Sequence, residues 1–93
     1  MKEPKLSGRE MAVLKAIDYA SGTFGWEIAD HTHLEQQDLL DILTGLMDVG
    51  YVEAYAGQTQ APQLQHVPLT ALQETRFEIN PSYALQIKQA MKR

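Results

Sequence analysis

Residues 25–52 read GWEIADHTHLEQQDLLDILTGLMDVGYV, and this stretch decides the fold. Ile28 and Ala29 fit the inner face of a short helix, a turn follows at 32–34, and a second amphipathic helix follows the turn. Gly50 then supplies a helix stop, and a β-prone run comes after it. Helix, tight turn, helix and strand in this order are typical of a helix-turn-helix with a wing.

The two helices of this stretch are predicted at about 26–31 and 35–49. At about 100° per residue, the longer helix turns four apolar side chains toward a core: Leu39, Ile42, Leu43 and Leu46. Its outer side carries polar residues, among them Gln37, Asp41 and Thr44. Gly45 costs this helix about 1 kcal/mol relative to alanine, and close packing against another helix would explain its presence.

Helices are also predicted on both sides of this stretch. Ser7 and Glu10 fit a capping box that starts a first helix, which is predicted to end at Gly22. Its apolar face comprises Val13, Leu14, Ile17 and Ala20. Asn80 as a cap and Pro81 in the first turn predict a final helix. The apolar face of that helix comprises Tyr83, Ala84, Ile87 and Met91.

Strands are predicted where apolar and polar residues alternate, at 51–55 and 75–79, as an antiparallel pair. A single further β-bridge is predicted at Thr23–Phe24. The segment 56–75 between the strands is a long, glutamine-rich wing loop. Within it, residues 66–72 are expected to fold back as a turn of helix or an extra strand.

The whole pattern predicts an α+β, mostly helical fold: a winged helix-turn-helix with a three-helix core, a two- to three-stranded β-wing and a C-terminal helix. The 93 residues, of which 44% are hydrophobic, suffice for one domain with a modest core. We expect 1–93 to form that single domain, with a flexible N-terminal arm at 1–6.

The charges are distributed unevenly along the chain. The formal net charge is −4, yet no lysine or arginine occurs from Ala16 to Thr75. The same segment contains Asp18, Glu27, Asp30, Glu35, Asp38, Asp41, Asp48, Glu53 and Glu74. A domain that grips phosphates normally shows a basic surface instead.

Composition also limits the compartment and the chemistry. Without cysteine, the chain has no disulfide, thiol nucleophile or thiolate metal site. No apolar run approaches the roughly 18 residues that span a bilayer, and no signal peptide opens the chain, so we expect a cytoplasmic protein without membrane contact.

Three short motifs resemble the small PadR-like regulators, within the broader group that includes MarR-type repressors. Residues 25–29, Gly-Trp-Glu-Ile-Ala, resemble their Gly-Tyr-Glu-Ile-Ala entry to the second helix. Residues 43–52 match their Leu-x-x-Leu-x-x-x-Gly-x-Val ending without a gap. Residues 76–81 resemble their second wing strand and the helix start that follows. The likeness covers about two thirds of the chain.

The resemblance implies a transcriptional regulator that binds operator DNA as a dimer, through its third helix. The chain departs from the family pattern at Glu35, where the family usually has serine or threonine to open that helix. It also carries Asp38, Asp41, Asp48 and glutamines where the family typically has arginine or lysine on the third helix and the wing.

Candidate DNA-binding residues follow from this placement. Gln36 and Gln37 are the candidates for reading base edges, because a glutamine amide can pair with adenine. Thr32 and Thr44 are candidates for phosphate contacts. Together with neighbouring positions, the predicted DNA-binding set is Thr32, Gln36, Gln37, Leu40, Asp41, Thr44 and Arg76. Alternatively, these residues are simply the solvated polar surface of a helix.

The termini offer further candidates. Lys2, Lys5 and Arg9 form a basic arm that would reach a groove of DNA, or else simply a solubilising terminus. Leu85, Lys88 and Met91 on the last helix are the predicted contacts of a homodimer.

Catalysis, metal binding and cofactor binding find no support in the sequence. His31, His33 and His66 do not have the spacing of a known metal site. No Ser/His/Asp arrangement, phosphate-binding glycine loop or isolated carboxylate pair is present. We therefore expect no enzyme, no metal and no cofactor, and we expect the aromatic residues Phe24, Trp26 and Tyr51 in the core.

Two functions remain in view. The first is a winged-helix transcriptional regulator that binds double-stranded DNA as a dimer. The second is an acidic winged-helix module for protein–protein interaction without DNA binding. Leu40 and Met47, predicted as exposed apolar residues on an acidic surface, favour the second function.

Overall fold

A computed structural model of the chain describes residues 6–57 and 62–92. Within them the fold is α+β, with a three-stranded antiparallel sheet, and it is compatible with a winged helix. The elements are α1 (Gly8–Lys15), β1 (Thr23–Phe24), α2 (Gly25–Thr32), α3 (Gln36–Asp48), β2 (Val52–Ala56), β3 (Thr75–Ile79) and α4 (Ala84–Ala90), with 3₁₀ turns at Leu69–Glu74 and Pro81–Tyr83. None of the helices in the described ranges is long and apolar enough to cross a membrane.

The capping box predicted for α1 is confirmed. The Glu10 amide donates to Ser7 Oγ at 3.1 Å, and the Ser7 amide donates to Glu10 Oε1 at 2.8 Å. The predicted end of this helix at Gly22 is wrong, because α1 ends at Lys15 and Ala20 is exposed. A turn replaces the last predicted helical turns, since the side chain of Asp18 accepts hydrogen bonds from the backbone that follows it.

The sheet places β3 in its centre, between β1 and β2. Phe77 on β3 faces Thr23 on one side and Ala54 on the other, and its side chain is fully buried. The predicted strand pair and the predicted pairing at Thr23–Phe24 are therefore confirmed. The buried faces of the helices and of the sheet meet in one core, whose largest side chains include Phe77, Leu14, Ile28, Leu39, Leu43, Leu46, Leu72 and Ile87.

The segment between β2 and β3 packs against the body of the protein. The Leu64 amide donates to the Ala54 carbonyl at 2.8 Å, and Val67 and Leu72 are buried in the core. The predicted turn of helix forms at Leu69–Glu74, slightly later than expected. The described part of the predicted wing loop thus contributes to the core, while residues 58–61 lie outside the described ranges.

The predicted helix stop at Gly50 and the predicted helix cap at Asn80 are confirmed. Gly50 has a positive φ of 88° after α3, as a left-handed helix stop requires. Asn80 Oδ1 accepts from the Ser82 amide at 3.0 Å, with Pro81 in the first turn. That first turn is a 3₁₀ turn that continues into α4.

Several predicted exposures are wrong. Trp26, expected in the core, is 54% exposed. Leu40 and Met47, expected on the surface, are half-buried and pack against the core. Close packing does not explain Gly45, because a Cβ atom built there would meet no other atom within 4 Å. Amphipathic patterns assign faces well only at the centre of a helical stripe, and these residues lie at its edges or at a helix end.

The beginning of α2 lies against the segment that precedes β3. Gly25 is buried, and a Cβ atom at this position would overlap the backbone carbonyl of Leu72. A backbone atom cannot swing aside as the end of a flexible side chain does. Only glycine therefore fits at Gly25 without moving α2 away from the 3₁₀ turn.

Two alanine substitutions at glycines should have opposite effects on stability. Gly25→Ala should lower the free energy of unfolding by about 2 kcal/mol or more, because the new methyl group overpacks a backbone contact. Gly45→Ala should raise it by about 1 kcal/mol, because alanine favours an exposed helix interior. Urea unfolding followed by circular dichroism measures both. Equal effects of the two substitutions would contradict this packing.

Candidate interaction surface

The turn between α2 and α3 is fixed by local hydrogen bonds. Thr32 Oγ1 donates to the Ile28 carbonyl at 2.8 Å and accepts from the Leu34 amide at 3.4 Å. His33 takes a left-handed conformation with φ of 58°, which is uncommon outside glycine and reverses the chain. The hydroxyl of Thr32, a predicted phosphate contact, is thus already used in both directions within the turn.

Helix α3 presents a polar surface that we call the α3 outer face, formed by the exposed residues Gln36, Gln37, Asp41, Thr44 and Asp48. The amide of Gln37 donates to Asp41 Oδ1 at 2.9 Å, so these two side chains form an i, i+4 pair. The structure brings together four of the predicted DNA-binding residues on this face. Leu40 lies at its edge, half-buried.

A groove of about 500 Å³ runs between the start of α1 and α3. Its lining residues are Ser7, Arg9, Glu10, Asp38, Asp41, Ile42 and Gly45. Arg9 lies 3.9 Å from Asp38, with both side chains largely in solvent. This distance allows a weak exposed ion pair, so the groove keeps a predominantly acidic character.

Arg76, the predicted DNA-binding residue of the wing, is held on the sheet. Its Nε donates to the Gly57 carbonyl at 3.1 Å, and its guanidinium forms an ion pair with Glu78. The guanidinium also lies over the ring of Tyr55, 5.2 Å from the ring centroid. Arg76 therefore links β3 to Gly57, just after β2.

A second surface, which the sequence did not predict, surrounds Trp26. A cavity of about 380 Å³ is lined by Phe24, Trp26, Gly57, Gln73 and Glu74, and we call it the Trp26 cavity. Trp26 is exposed because Gly25 and Ile28 are the buried residues of α2. Trp26 lies on the opposite side of the helix from Ile28 and therefore points away from the core. The only hint in the sequence was Gly25, directly before Trp26. The sequence does not show that this glycine is required by a contact with Leu72.

The predicted dimer contacts lie on α4. Leu85 is 68% exposed, whereas Met91 is half-buried and packs against the core. Lys88 Nζ lies 4.8 Å from the centroid of the Tyr19 ring, a cation–π geometry. The exposed side of α4 thus combines one large apolar side chain with a cation held by an aromatic ring.

The predicted basic arm and the histidines add no assembled site. Lys2 and Lys5 lie outside the described residues, and Arg9 lies in the first turn of α1. His31, His33 and His66 are exposed. Across the described ranges, no group of three or more histidine or acidic side chains is placed to hold a metal ion.

Comparisons with known proteins give no family for this chain. Searches of protein-family models, of curated proteins and of solved structures found no match. The likeness to PadR-like and MarR-type regulators therefore rests on the three short motifs alone.

Asp18 is the carboxylate that holds the turn between α1 and β1. Its Oδ1 accepts from the Ala20 amide at 2.7 Å and from the Ser21 amide at 3.4 Å. These hydrogen bonds, that of Ala20 above all, hold the pKa of Asp18 below its ordinary value of 3.8. The ionised side chain thereby fixes the turn that leads from α1 to β1.

The stability conferred by Asp18 should depend on pH. Because its pKa is lowered by folding, this contribution is fully present above about pH 4 and is lost as the pH falls through the lower, folded pKa. Asp18→Asn should therefore reduce the free energy of unfolding at pH 7, and the difference from the natural chain should shrink below pH 4.

Urea unfolding at a series of pH values tests this dependence. Asp30→Asn is the control, because Asp30 is exposed and accepts no hydrogen bond among the described residues. A difference between Asp18→Asn and the natural chain that stays constant from pH 7 to pH 2 would refute the role of these hydrogen bonds.

Proposed function

We propose that the chain is a winged-helix module for protein–protein interaction, and that its α3 outer face binds a cationic surface of a partner protein. The observation that carries the proposal is the charge of this face. Asp41 and Asp48 present their carboxylates to solvent on this face, and Arg9 lies 3.9 Å from Asp38 beside it.

The winged-helix assignment is supported by the order and packing of the elements. A short helix, a tight turn and a longer helix are followed by an antiparallel strand pair. The longer helix buries Leu39, Leu43 and Leu46 and leaves its polar side open. This is how a helix-turn-helix presents its second helix to a ligand.

Electrostatics decides which ligand suits this helix. Asp41 and Asp48 are exposed on the α3 outer face, and Asp38 stands beside it. A carboxylate about 4 Å from a phosphate is repelled by roughly 1 kcal/mol even in water, and a DNA backbone repeats that charge. A partner with lysine or arginine side chains reverses the sign of each of these interactions and is steered toward the face.

Binding of duplex DNA as a homodimeric regulator is the second candidate function. The exposed Gln36 and Gln37 at the start of α3 favour it, since their amides suit base edges in a major groove. In that case a dimer would have to supply the cations from elsewhere, for example from Lys88 and Lys92 on and after α4.

A titration with two ligands distinguishes these functions. We expect a lysine- and alanine-containing helical peptide to shift the backbone amide signals of the α3 outer face in NMR spectra at low salt. A duplex of about 20 base pairs should shift none of them. Duplex binding at the α3 face that weakens steeply with salt would favour the DNA-binding function and contradict the first proposal.

Matched variants locate the peptide. Asp38→Asn combined with Asp41→Asn should weaken its binding about fivefold, because each exposed ion pair contributes up to about 1 kcal/mol. The control is Asp30→Asn combined with Glu53→Gln, which changes the charge equally on α2 and β2. Equal weakening by both pairs would show binding to net charge rather than to α3.

Self-association through α4 is a separate prediction. Leu85→Glu should abolish a homodimer that forms through this helix, because it places a charge at the exposed apolar position. Val49→Glu is the matched control, since Val49 is 56% exposed at the end of α3. Sedimentation equilibrium measures both. A natural chain that stays monomeric at high micromolar concentration, or a Leu85→Glu variant that still dimerises, would remove α4 as the interface.

A further inference from the structure

We infer that the Trp26 cavity binds an arginine side chain of a partner protein, with the guanidinium stacked on the indole and paired with Glu74. This cavity shares no lining residue with the groove beside α3. The inference therefore adds a second contact to the protein–protein interaction proposed above, and it is tested on its own residues.

The first argument is the exposure of the indole. Trp26 is the single tryptophan of the chain, and 54% of it is accessible to solvent. Tryptophan is enriched among the residues that dominate binding energy at interfaces, where its indole combines a large apolar surface with a polar N–H group. The backbone beside Trp26 is held in place, because the neighbouring Gly25 is buried against Leu72.

The second argument is the composition of the cavity. Trp26 and Phe24 supply apolar and aromatic surface, and Glu74 supplies a carboxylate. Glu74 forms no salt bridge with any described cation. An aromatic face beside an unmatched carboxylate suits a ligand that is both flat and positively charged.

Arginine meets this description better than lysine does. Its guanidinium is planar, stacks on aromatic rings and donates two parallel hydrogen bonds to a carboxylate, whereas a lysine ammonium is a compact and strongly hydrated charge. Tryptophan is the best aromatic partner for such a cation. The net charge of −4 attracts a cationic segment toward this part of the surface as well.

The protein uses the same combination internally, close to the cavity. The guanidinium of Arg76 lies over the ring of Tyr55 and pairs with Glu78, and Arg76 also contacts Gly57, which lines the Trp26 cavity. One guanidinium, one aromatic ring and one carboxylate thus already form a unit on the sheet. The Trp26 cavity offers the ring and the carboxylate of a second such unit.

Tryptophan fluorescence tests the inference directly, because its signal comes from Trp26 alone. The probe is a blocked Gly-Arg-Gly peptide, and the control probe carries citrulline, which has nearly the same shape without the charge. We expect a saturable change of fluorescence with the arginine peptide and none with the citrulline peptide. Equal responses to both peptides, or no saturable response to arginine, would overturn the inference.

Variants separate this cavity from the α3 outer face. Glu74→Gln should weaken binding of the arginine peptide about three- to fivefold, as expected for loss of an exposed ion pair. Asp38→Asn combined with Asp41→Asn should leave it unchanged. The reverse result would place the arginine on α3, and so would contradict the inference while leaving the proposed function intact.

Trp26→Leu completes the series, with binding followed by the NMR amide signals of Gln73 and Glu74. Because Trp26 is largely exposed, this variant should unfold at the same urea concentration as the natural chain, to within the small effects usual for surface substitutions. It should lose the shifts caused by the arginine peptide. Retained shifts would show that the indole does not hold the guanidinium.

Discussion

The contact between the start of α2 and the Leu72 carbonyl is the constraint on which the other features depend. It requires glycine at position 25, because a Cβ atom there would overlap a backbone oxygen. It brings the segment before β3 against α2, so that Leu72 joins the core. It also sets the rotation of α2, which sends Ile28 inward and Trp26 outward. The burial of Leu72 and the exposure of Trp26 therefore both follow from the contact between Gly25 and Leu72.

The same contact explains why the long segment between β2 and β3 is not simply a projecting wing. Leu64 pairs with β2, and Val67 and Leu72 are buried. These apolar side chains offset the entropy of ordering residues 62–74, which polar residues alone would not. The rim that remains carries Gly57, Gln73 and Glu74 around Trp26. The ordering of residues 62–74 thus builds one side of the proposed arginine site.

The distribution of charged residues is the main argument for the proposed ligand. The segment from Ala16 to Thr75 contains nine acidic residues and no lysine or arginine. In the structure, Arg76, the first residue after this segment, contacts Glu78 and Tyr55 on the sheet, and Arg9 lies near Asp38. Two of the cations that would have favoured a nucleic-acid ligand therefore face carboxylates of the protein itself. The proposed cationic protein ligand is complementary in charge to the carboxylates that remain exposed.

Local signals in the sequence were sufficient for most of the elements. The Ser7–Glu10 capping box, the Gly50 stop and the Asn80 cap each act through neighbouring backbone groups, so the spacing of a few residues revealed them. The strand pair followed from alternation over five residues. The end of α1 was predicted wrongly because the hydrogen bonds of Asp18 compete with the helix. The sequence does not show whether the turn or the continued helix is more stable.

The candidate site was less predictable, because exposure depends on contacts between distant segments. Trp26 is exposed because Gly25 lies against Leu72, far away in the chain, and the periodicity of α2 does not reveal that contact. Gly45 was attributed to close packing, but its surroundings are open. The polar residues of α3 were correctly placed on one face because that face follows from helical geometry alone. What binds there depends on the combined field of many charges.

The near-surface electrostatic potential around α3 is the most direct measurement of the central claim. It can be obtained residue by residue from NMR relaxation caused by a cationic and an anionic paramagnetic cosolute. The account predicts a negative potential at the amide protons of Gln36, Asp41 and Thr44, with the cationic cosolute enriched there. A positive potential at these protons would contradict it and would favour a polyanionic ligand.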